Sequence, residues 1–199
     1  MIPLGGSGFL NVGSGDFGVL NYAFGLEQLE AAFCTQVAAG AYFAGASAAE
    51  RAIFPDLKDH KVIHRNFFRK KLGKNAIKDL TLDFSGIGFS VRAATAGSAK
   101  LSVLDAAGAF EVLGITAYNG ANHSVASVDY LTLAGKIASV EVRHATAIRK
   151  LLATNTLVAS DVVDTATTGL EKSKRPRDVL ATANTFLAAG SKLSANSFI

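Results

Sequence analysis

Four long stretches of the chain can form helices, and this feature restricts its fold more than any other. Helix-capping residues open several of them, and short turns separate the first from the second and the third from the fourth. A longer segment containing "LTLDFSGIGFS" joins the second to the third; it alternates apolar and polar residues and then breaks at two glycines. The helical stretches are approximately residues 16–40, 47–73, 92–118 and 127–153.

Local signals place the starts of the first two helices. Asp16 can cap the first helix, because its carboxylate can accept hydrogen bonds from the free N–H groups of the first turn. Ser47 followed by Glu50 forms a capping-box pattern before the second helix. Pro55 is expected either to kink this helix or to define its true first turn.

These signals predict an all-α protein with one long crossover between helices 2 and 3. The composition agrees, since 49% of residues are hydrophobic, Trp is absent and Pro occurs only 3 times. We divide the chain into an irregular N-terminal arm (1–15), a four-helix bundle (16–154) and a C-terminal extension (155–199). The extension should contain a short helix near Pro176, packed on the bundle or on a neighbouring subunit. The crossover is expected to be extended, with at most a short strand and no sheet.

The fourth helix carries Glu141 and His144, and this Glu-x-x-His spacing puts both side chains on one face. A bundle that binds two metal ions needs a Glu from each of two helices and a Glu-x-x-His from each of the other two. The remaining candidates are Glu27 on the first helix, His64 on the second and Glu111 on the third.

The second helix departs from this pattern, because Lys61 stands where a ligand glutamate is required. Three carboxylates and one ammonium sum to −2, which balances one divalent ion and not two. A buried ammonium also needs a carboxylate partner, so Lys61 could bridge Glu27, Glu111 or Glu141. Glu30, one turn after Glu27, is interpreted as a surface or supporting acid and not as a ligand.

Several stretches together resemble a known family. "LNYAFGLEQLEAAF", "DHKVIHRNFF", "AYNGA" and "KIASVEVRHATAIRKLL" are similar to bacterial ferritin-like domain proteins related to plant desiccation-related proteins, over about residues 16–190. The resemblance implies a ferritin-like four-helix bundle, often exported, with a di-metal site. Carried over by position, the metal ligands would be Glu27, His64, Glu111, Glu141 and His144. The family pattern has Glu at the position of Lys61 and commonly an aromatic residue at that of Cys34.

Two functions follow from these observations. The first is a non-catalytic structural or self-assembling protein with a degenerate metal site; it would bind no cofactor, or a single iron or manganese ion. The alternative is an iron- or manganese-binding oxidase or metal-storage protein. The Gly/Ser-rich, apolar arms "IPLGGSGFL" and "ANSFI" suggest docking between subunits, so we expect a homo-oligomer or filament.

Other classes of protein are disfavoured. Residues 31–49 are uncharged, but they read better as a buried helix end and turn than as a membrane span. The basic run "HRNFFRKKLGKNAIK" ends a helix, where cations complement the helix dipole, so nucleic-acid binding is not expected. No signal peptide is predicted within the chain; the resemblance alone implies an extracellular or periplasmic location. Cys34 is interpreted as a small core residue.

Overall fold

The computed structural model of the chain describes residues 4–5, 8–93, 97–153, 158 and 160–197. Helices dominate this part of the chain, and all the strands are two or three residues long. The helices are α1 (Gly15–Ala39), α2 (Ala41–Ala44), α3 (Ala48–Leu72), α4 (Val103–Ala121), α5 (Val128–Leu152) and α6 (Pro176–Ala183). The strands are β1 (Leu4–Gly5), β2 (Phe9–Asn11), β3 (Ile87–Gly88), β4 (Leu101–Ser102) and β5 (Leu193–Ser194).

The four long helices pack as two pairs. Helix α1 packs mainly on α3 and α4 mainly on α5, and α1 and α4 also contact each other. The connection between α3 and α4 spans residues 73–102, which confirms the predicted four-helix bundle with one long crossover. Both α1 and α4 are buried around most of their circumference, whereas α3 and α5 each expose a polar face. None of the described helices combines the length and apolarity needed to cross a membrane.

The crossover is fixed to the bundle by aromatic packing. Phe84 and Phe89 lie with their ring centroids 6.2 and 5.8 Å from that of Phe33 on α1. On the other side, Phe110 of α4 meets Phe33 edge to face at 5.0 Å. This cluster covers one end of the bundle and keeps water from the helix interface beneath it.

The third long helix begins later than predicted, at Val103 and not near residue 92. Ser102 is its N-cap, and its side chain accepts a hydrogen bond from the backbone N–H of Asp105. Before it, Gly97 adopts a positive φ of 84°, and β4 pairs in parallel with β3. The Ala-rich stretch has no strong helix breaker, so the sequence pattern alone extended the helix too far. The crossover therefore contains a small two-stranded sheet, contrary to prediction.

The described part of the N-terminal arm contains two short strands, β1 and β2. Strand β2 lies between β1 and β5 and pairs in parallel with β5, where Leu10 is opposite Leu193. Leu193 packs against Gly25 of α1, where an added Cβ would lie 2.5 Å from the leucine Cδ1. The two ends of the chain are thus joined to each other on the side of α1.

One predicted helix cap is present and one is not. Ser47 and Glu50 form the full capping box at the start of α3. Pro55 lies inside α3, seven residues after its first residue. Asp16 does not cap α1, whose N-cap is Ser14. Instead, the Asp16 carboxylate accepts hydrogen bonds from two backbone N–H groups in the segment just before α5, those of residues 126 and 127.

We expect Gly120→Ala to destabilise the fold by about 2 to 3 kcal/mol, because a Cβ there cannot be accommodated. The Cβ would lie 1.8 Å from the carbonyl oxygen of Lys174. The backbone N–H of Lys174 donates a hydrogen bond to the carbonyl oxygen of Thr116, which lies on the same helix as Gly120. Gly135→Ala is the matched control, since no atom lies within 4 Å of the added Cβ on α5. The control should stabilise by up to about 1 kcal/mol through helix propensity. Equal unfolding free energies for the two variants in urea titrations would contradict this packing.

Candidate metal centre

The four long helices each direct polar side chains into one buried cluster at the centre of the bundle. All five predicted ligands lie there, together with Lys61 and Glu30. That they bind metal remains a prediction, but their convergence is a property of the fold. By helix, the members are Glu27 and Glu30 on α1, Lys61 and His64 on α3, Glu111 on α4, and Glu141 and His144 on α5.

Lys61 is the central member of this cluster and has no exposed surface. Its Nζ forms ion pairs with Glu30 and Glu141 and lies 3.1 Å from Oε2 of Glu111. These carboxylates come from three different helices. A buried ammonium is stable only when negative charges surround it. Lys61 and the three helices that carry these carboxylates therefore restrict one another's positions.

Glu30, interpreted from the sequence as a surface or supporting acid, is buried in the cluster. It is only 4% exposed and pairs directly with Lys61, so the structure favours the supporting role over the surface position. The available signal was its position three residues after Glu27, on the same face of an otherwise apolar helix. Gly114 of α4 makes room for it, since a Cβ there would lie 3.2 Å from Glu30 Oε1.

Two groups of three side chains have the geometry of metal ligands, and Glu141 belongs to both. In the first group, His64 Nδ1 lies 3.4 Å from Glu27 Oε1 and 3.1 Å from Glu141 Oε1. In the second group, His144 Nδ1 lies 3.6 Å from Glu111 Oε2 and 3.5 Å from Glu141 Oε2. We call these the His64 group and the His144 group.

Lys61 affects the two groups unequally. Its ammonium contacts Oε2 of Glu111 and Oε2 of Glu141, the same two oxygens that face His144. The oxygens of the His64 group are Oε1 of Glu27 and Oε1 of Glu141, and Lys61 pairs with neither. The ammonium of Lys61, a cation attached covalently to the chain, is therefore already present at the His144 group. It does not contact the facing oxygens of the His64 group.

Buried atoms of both groups have no hydrogen-bond partner within the described part of the chain. They are Nδ1 of His64, Oε2 of Glu27 and Oε1 of Glu141 in the His64 group, and Nδ1 of His144 and Oε2 of Glu111 in the His144 group. Buried polar atoms are normally satisfied, so their convergence indicates either a bound cation or a shared proton. A bound cation or a shared proton would each neutralise negative charge of the facing carboxylates.

Tyr118 supports the His64 group and was not identified from the sequence as part of the site. Its hydroxyl donates a hydrogen bond of 2.8 Å to Glu27 Oε1, and the residue is 7% exposed. Tyr118 lies seven residues after Glu111 on α4, which is two helical turns and hence the same face. That spacing was the signal available in the sequence.

The charges within the cluster are strongly coupled. Burial alone would lower the pKa of Lys61, but Glu111, Glu141 and Glu30 raise it well above the ordinary value, so the amine is an ammonium. Burial raises the pKa of Glu141, yet Lys61 and the two histidines lower it well below normal, so this residue is a carboxylate.

The pKa values of Glu30, Glu111 and His144 shift toward the protonated forms. Burial raises the pKa of Glu30 and of Glu111, and the attraction of Lys61 only partly offsets this. Burial lowers the pKa of His144, but the Glu111 and Glu141 carboxylates raise it overall. The cluster therefore compensates its negative charge with Lys61 and with protons.

Cys34 is buried on α1, and burial raises the pKa of its thiol well above normal. A thiol of this kind is a poor nucleophile, which agrees with its interpretation as a core residue.

We expect the stability of chelator-treated protein to fall as pH rises from about 6.5 to about 10, because His64 loses its proton in this interval. Burial lowers the pKa of His64, but Glu141 and Glu27 raise it to about 10, above about 6.5 for an exposed histidine. A group whose pKa is higher in the folded than in the unfolded protein stabilises the fold fully below its unfolded pKa. This stabilisation is lost as the pH rises through the folded pKa.

Denaturant titrations across this pH range measure the effect. His64→Gln should show a shallower loss, whereas His123→Gln, at an exposed histidine outside the cluster, should keep the slope of the parent. Parallel curves for parent and His64→Gln would contradict the assignment.

Comparison with known proteins agrees with this geometry. A sequence profile described as the ferritin-like domain matches residues 15–154, which include all four long helices and every member of the cluster. Among curated proteins, none matches the chain significantly. The profile covers well over half of the sequence, and the chain therefore belongs to the ferritin-like domain family.

Proposed function

We propose that this ferritin-like protein is a non-catalytic, structural bundle in which Lys61 replaces one of two metal ions. The observation that carries the proposal is the contact of its ammonium with Glu111 Oε2 and Glu141 Oε2, the oxygens that the His144 group would offer to a metal. A metal ion and an ammonium cannot occupy the same oxygens, since like charges at contact distance repel strongly in a low-dielectric interior.

Charge balance alone does not separate one ion from two. Glu27, Glu30, Glu111 and Glu141 contribute −4 when ionised and Lys61 contributes +1, which leaves −3 with neutral histidines. One divalent ion would leave −1 and two would leave +1, which are equally far from neutrality. The position of the ammonium on Glu111 Oε2 and Glu141 Oε2 is what does not fit a second metal ion and argues against a di-metal oxidation reaction.

A second candidate function is a single divalent ion held by the His64 group. Its ligand atoms would be Nδ1 of His64 and carboxylate oxygens of Glu27 and Glu141. This group is favoured over the His144 group because the Lys61 ammonium contacts the oxygens that face His144 and not those that face His64. Imidazole with two carboxylates suits iron or manganese. When bound, the ion would supply a Lewis acid. Tyr118 would hold Glu27 in place, and Lys61 would fix the other oxygen of Glu141.

The resemblance to bacterial relatives of plant desiccation-related proteins supports one further element of the proposal. We infer that the protein is exported, to an extracellular or periplasmic location. Cell fractionation with an antibody to the folded chain tests the location, and recovery with cytosolic marker enzymes would contradict it.

We expect Lys61→Glu to convert the cluster into a site for two metal ions. The substitution removes the ammonium from Glu111 and Glu141 and supplies the missing carboxylate on α3. Elemental analysis after loading with iron(II) or manganese(II) and gel filtration should give about two ions per chain, against at most one for the parent.

Lys58→Glu is the matched control, since it makes the same charge change one turn earlier on α3, at a side chain that is 35% exposed. It should leave the metal content of the parent unchanged. Two ions in the parent protein would overturn the proposal, and so would a Lys61→Glu protein that folds but binds no more metal than the parent.

We also expect the protein to form a homo-oligomer or filament through its terminal arms. The described parts of both arms pair within one chain, and β1 is an edge strand of their sheet, to which a strand of another subunit could add. The other edge is covered, since the backbone N–H and C=O of Leu193 on β5 are hydrogen-bonded to Asn184. Light scattering with size-exclusion chromatography measures the assembly. A monomer at all concentrations tested would remove this part of the proposal and leave the role of Lys61 unaffected.

A further inference from the structure

His144 contacts polar groups at both of its ring nitrogens. Nδ1 faces inward, 3.6 Å from Glu111 Oε2 and 3.5 Å from Glu141 Oε2. Nε2 faces outward and lies 2.9 Å from Nδ1 of His60, a hydrogen-bonding distance with one nitrogen donating and the other accepting. The imidazole thus connects the buried cluster with a residue at the surface.

The two rings lie almost edge to edge in a common plane. Their centroids are 5.1 Å apart and their planes differ by 18°, while the two facing nitrogens are 2.9 Å apart, so the hydrogen bond lies along the line that joins the rings. His60 belongs to α3 and is exposed, whereas His144 belongs to α5 and is buried. The pair therefore joins the two helices that expose polar faces and lies on the solvent side of the His144 group.

An imidazole has two orientations that fill nearly the same space, related by a half turn about χ2. The half turn exchanges Nδ1 with Cδ2 and Nε2 with Cε1, so the flipped ring of His144 would present carbon atoms both to the carboxylates and to His60. Packing alone distinguishes the two poorly, whereas a hydrogen bond to the outer nitrogen selects one. His60 supplies that hydrogen bond.

We propose that His60 is a positioning residue, which holds the His144 imidazole with Nδ1 directed at Glu111 and Glu141. The orientation is the same whether these carboxylates face a proton, an ammonium or a metal ion. The inference therefore does not depend on the proposed function and can be tested in protein that contains no metal.

Nuclear magnetic resonance of the uniformly ¹⁵N-labelled full chain tests it. The chain has 4 histidines, so the ring signals can be assigned by substituting each in turn. We expect a scalar coupling across the hydrogen bond between His144 Nε2 and His60 Nδ1. A single set of nuclear Overhauser contacts from the His144 ring protons should accompany it.

Two substitutions separate the hydrogen bond from the space that the His60 ring fills. His60→Asn keeps a polar atom near the position of Nδ1 and removes the ring, and it should retain one orientation of His144. His60→Phe keeps an aromatic ring but offers no nitrogen, and we expect loss of the single orientation. His123→Ala, at the exposed histidine outside the cluster, should leave all His144 signals unchanged.

The outcomes are decisive in each direction. A coupling in the parent, with one orientation in His60→Asn and two in His60→Phe, supports the proposal. The absence of the coupling in the folded parent overturns it. So does a His60→Phe protein in which His144 keeps a single orientation, because packing against a ring would then be sufficient.

Discussion

The structure depends on one buried ammonium group that must be surrounded by negative charge. Lys61 has no contact with water, and its nearest carboxylates come from α1, α4 and α5 while it belongs to α3. Removing either partner of such a contact leaves an uncompensated buried charge, which typically costs about 3 to 5 kcal/mol. The relative positions of all four long helices are therefore coupled through a single side chain, and the polar centre contributes to the specificity of the packing.

The apolar parts of the bundle create the conditions under which this charge cluster operates. Helices α1 and α4 are buried on nearly all sides, and the crossover covers them with Phe84 and Phe89. Exclusion of water lowers the local dielectric constant, which strengthens attraction inside the cluster and raises the cost of any unpaired charge. The absence of a side chain at Gly114 then matters, because Glu30 can reach Lys61 only where α4 leaves space.

The bundle and most of its centre could be predicted from the sequence, because both follow from local patterns. Helical periodicity gave the order of the long helices, and i, i+3 spacing placed Glu141 with His144 on an inward face. Lys61 was recognised because it interrupts a pattern of residue types across four helices. Such patterns depend only on the spacing of residues along a helix, which can be read directly from the sequence.

Features that depend on contacts between distant segments were predicted poorly. The pairing of Glu30 with Lys61 was not predicted, because the environment of Glu30 is made by α3 and α4 and not by its own helix. The pairing of β2 with β5 joins opposite ends of the chain through strands too short to show an alternating pattern. The first turn of α4 was misplaced because Ala-rich sequence permits a helix where tertiary contacts with β3 select an extended chain.

The ammonium of Lys61 is attached covalently to the chain, and in this property it differs from a metal ion in a way that bears on function. A metal dissociates, so a bundle that relies on two ions varies in stability with metal supply, pH and chelators. Lys61 is always present, and its pKa is raised well above normal by Glu111, Glu141 and Glu30, so the His144 group keeps its compensating charge under all these conditions. With Lys61 at this position, one site for a metal ion that could change its oxidation state is absent. The stability of the fold then depends less on metal supply, pH and chelators. That combination suits a structural protein in a variable environment better than it suits an oxidase.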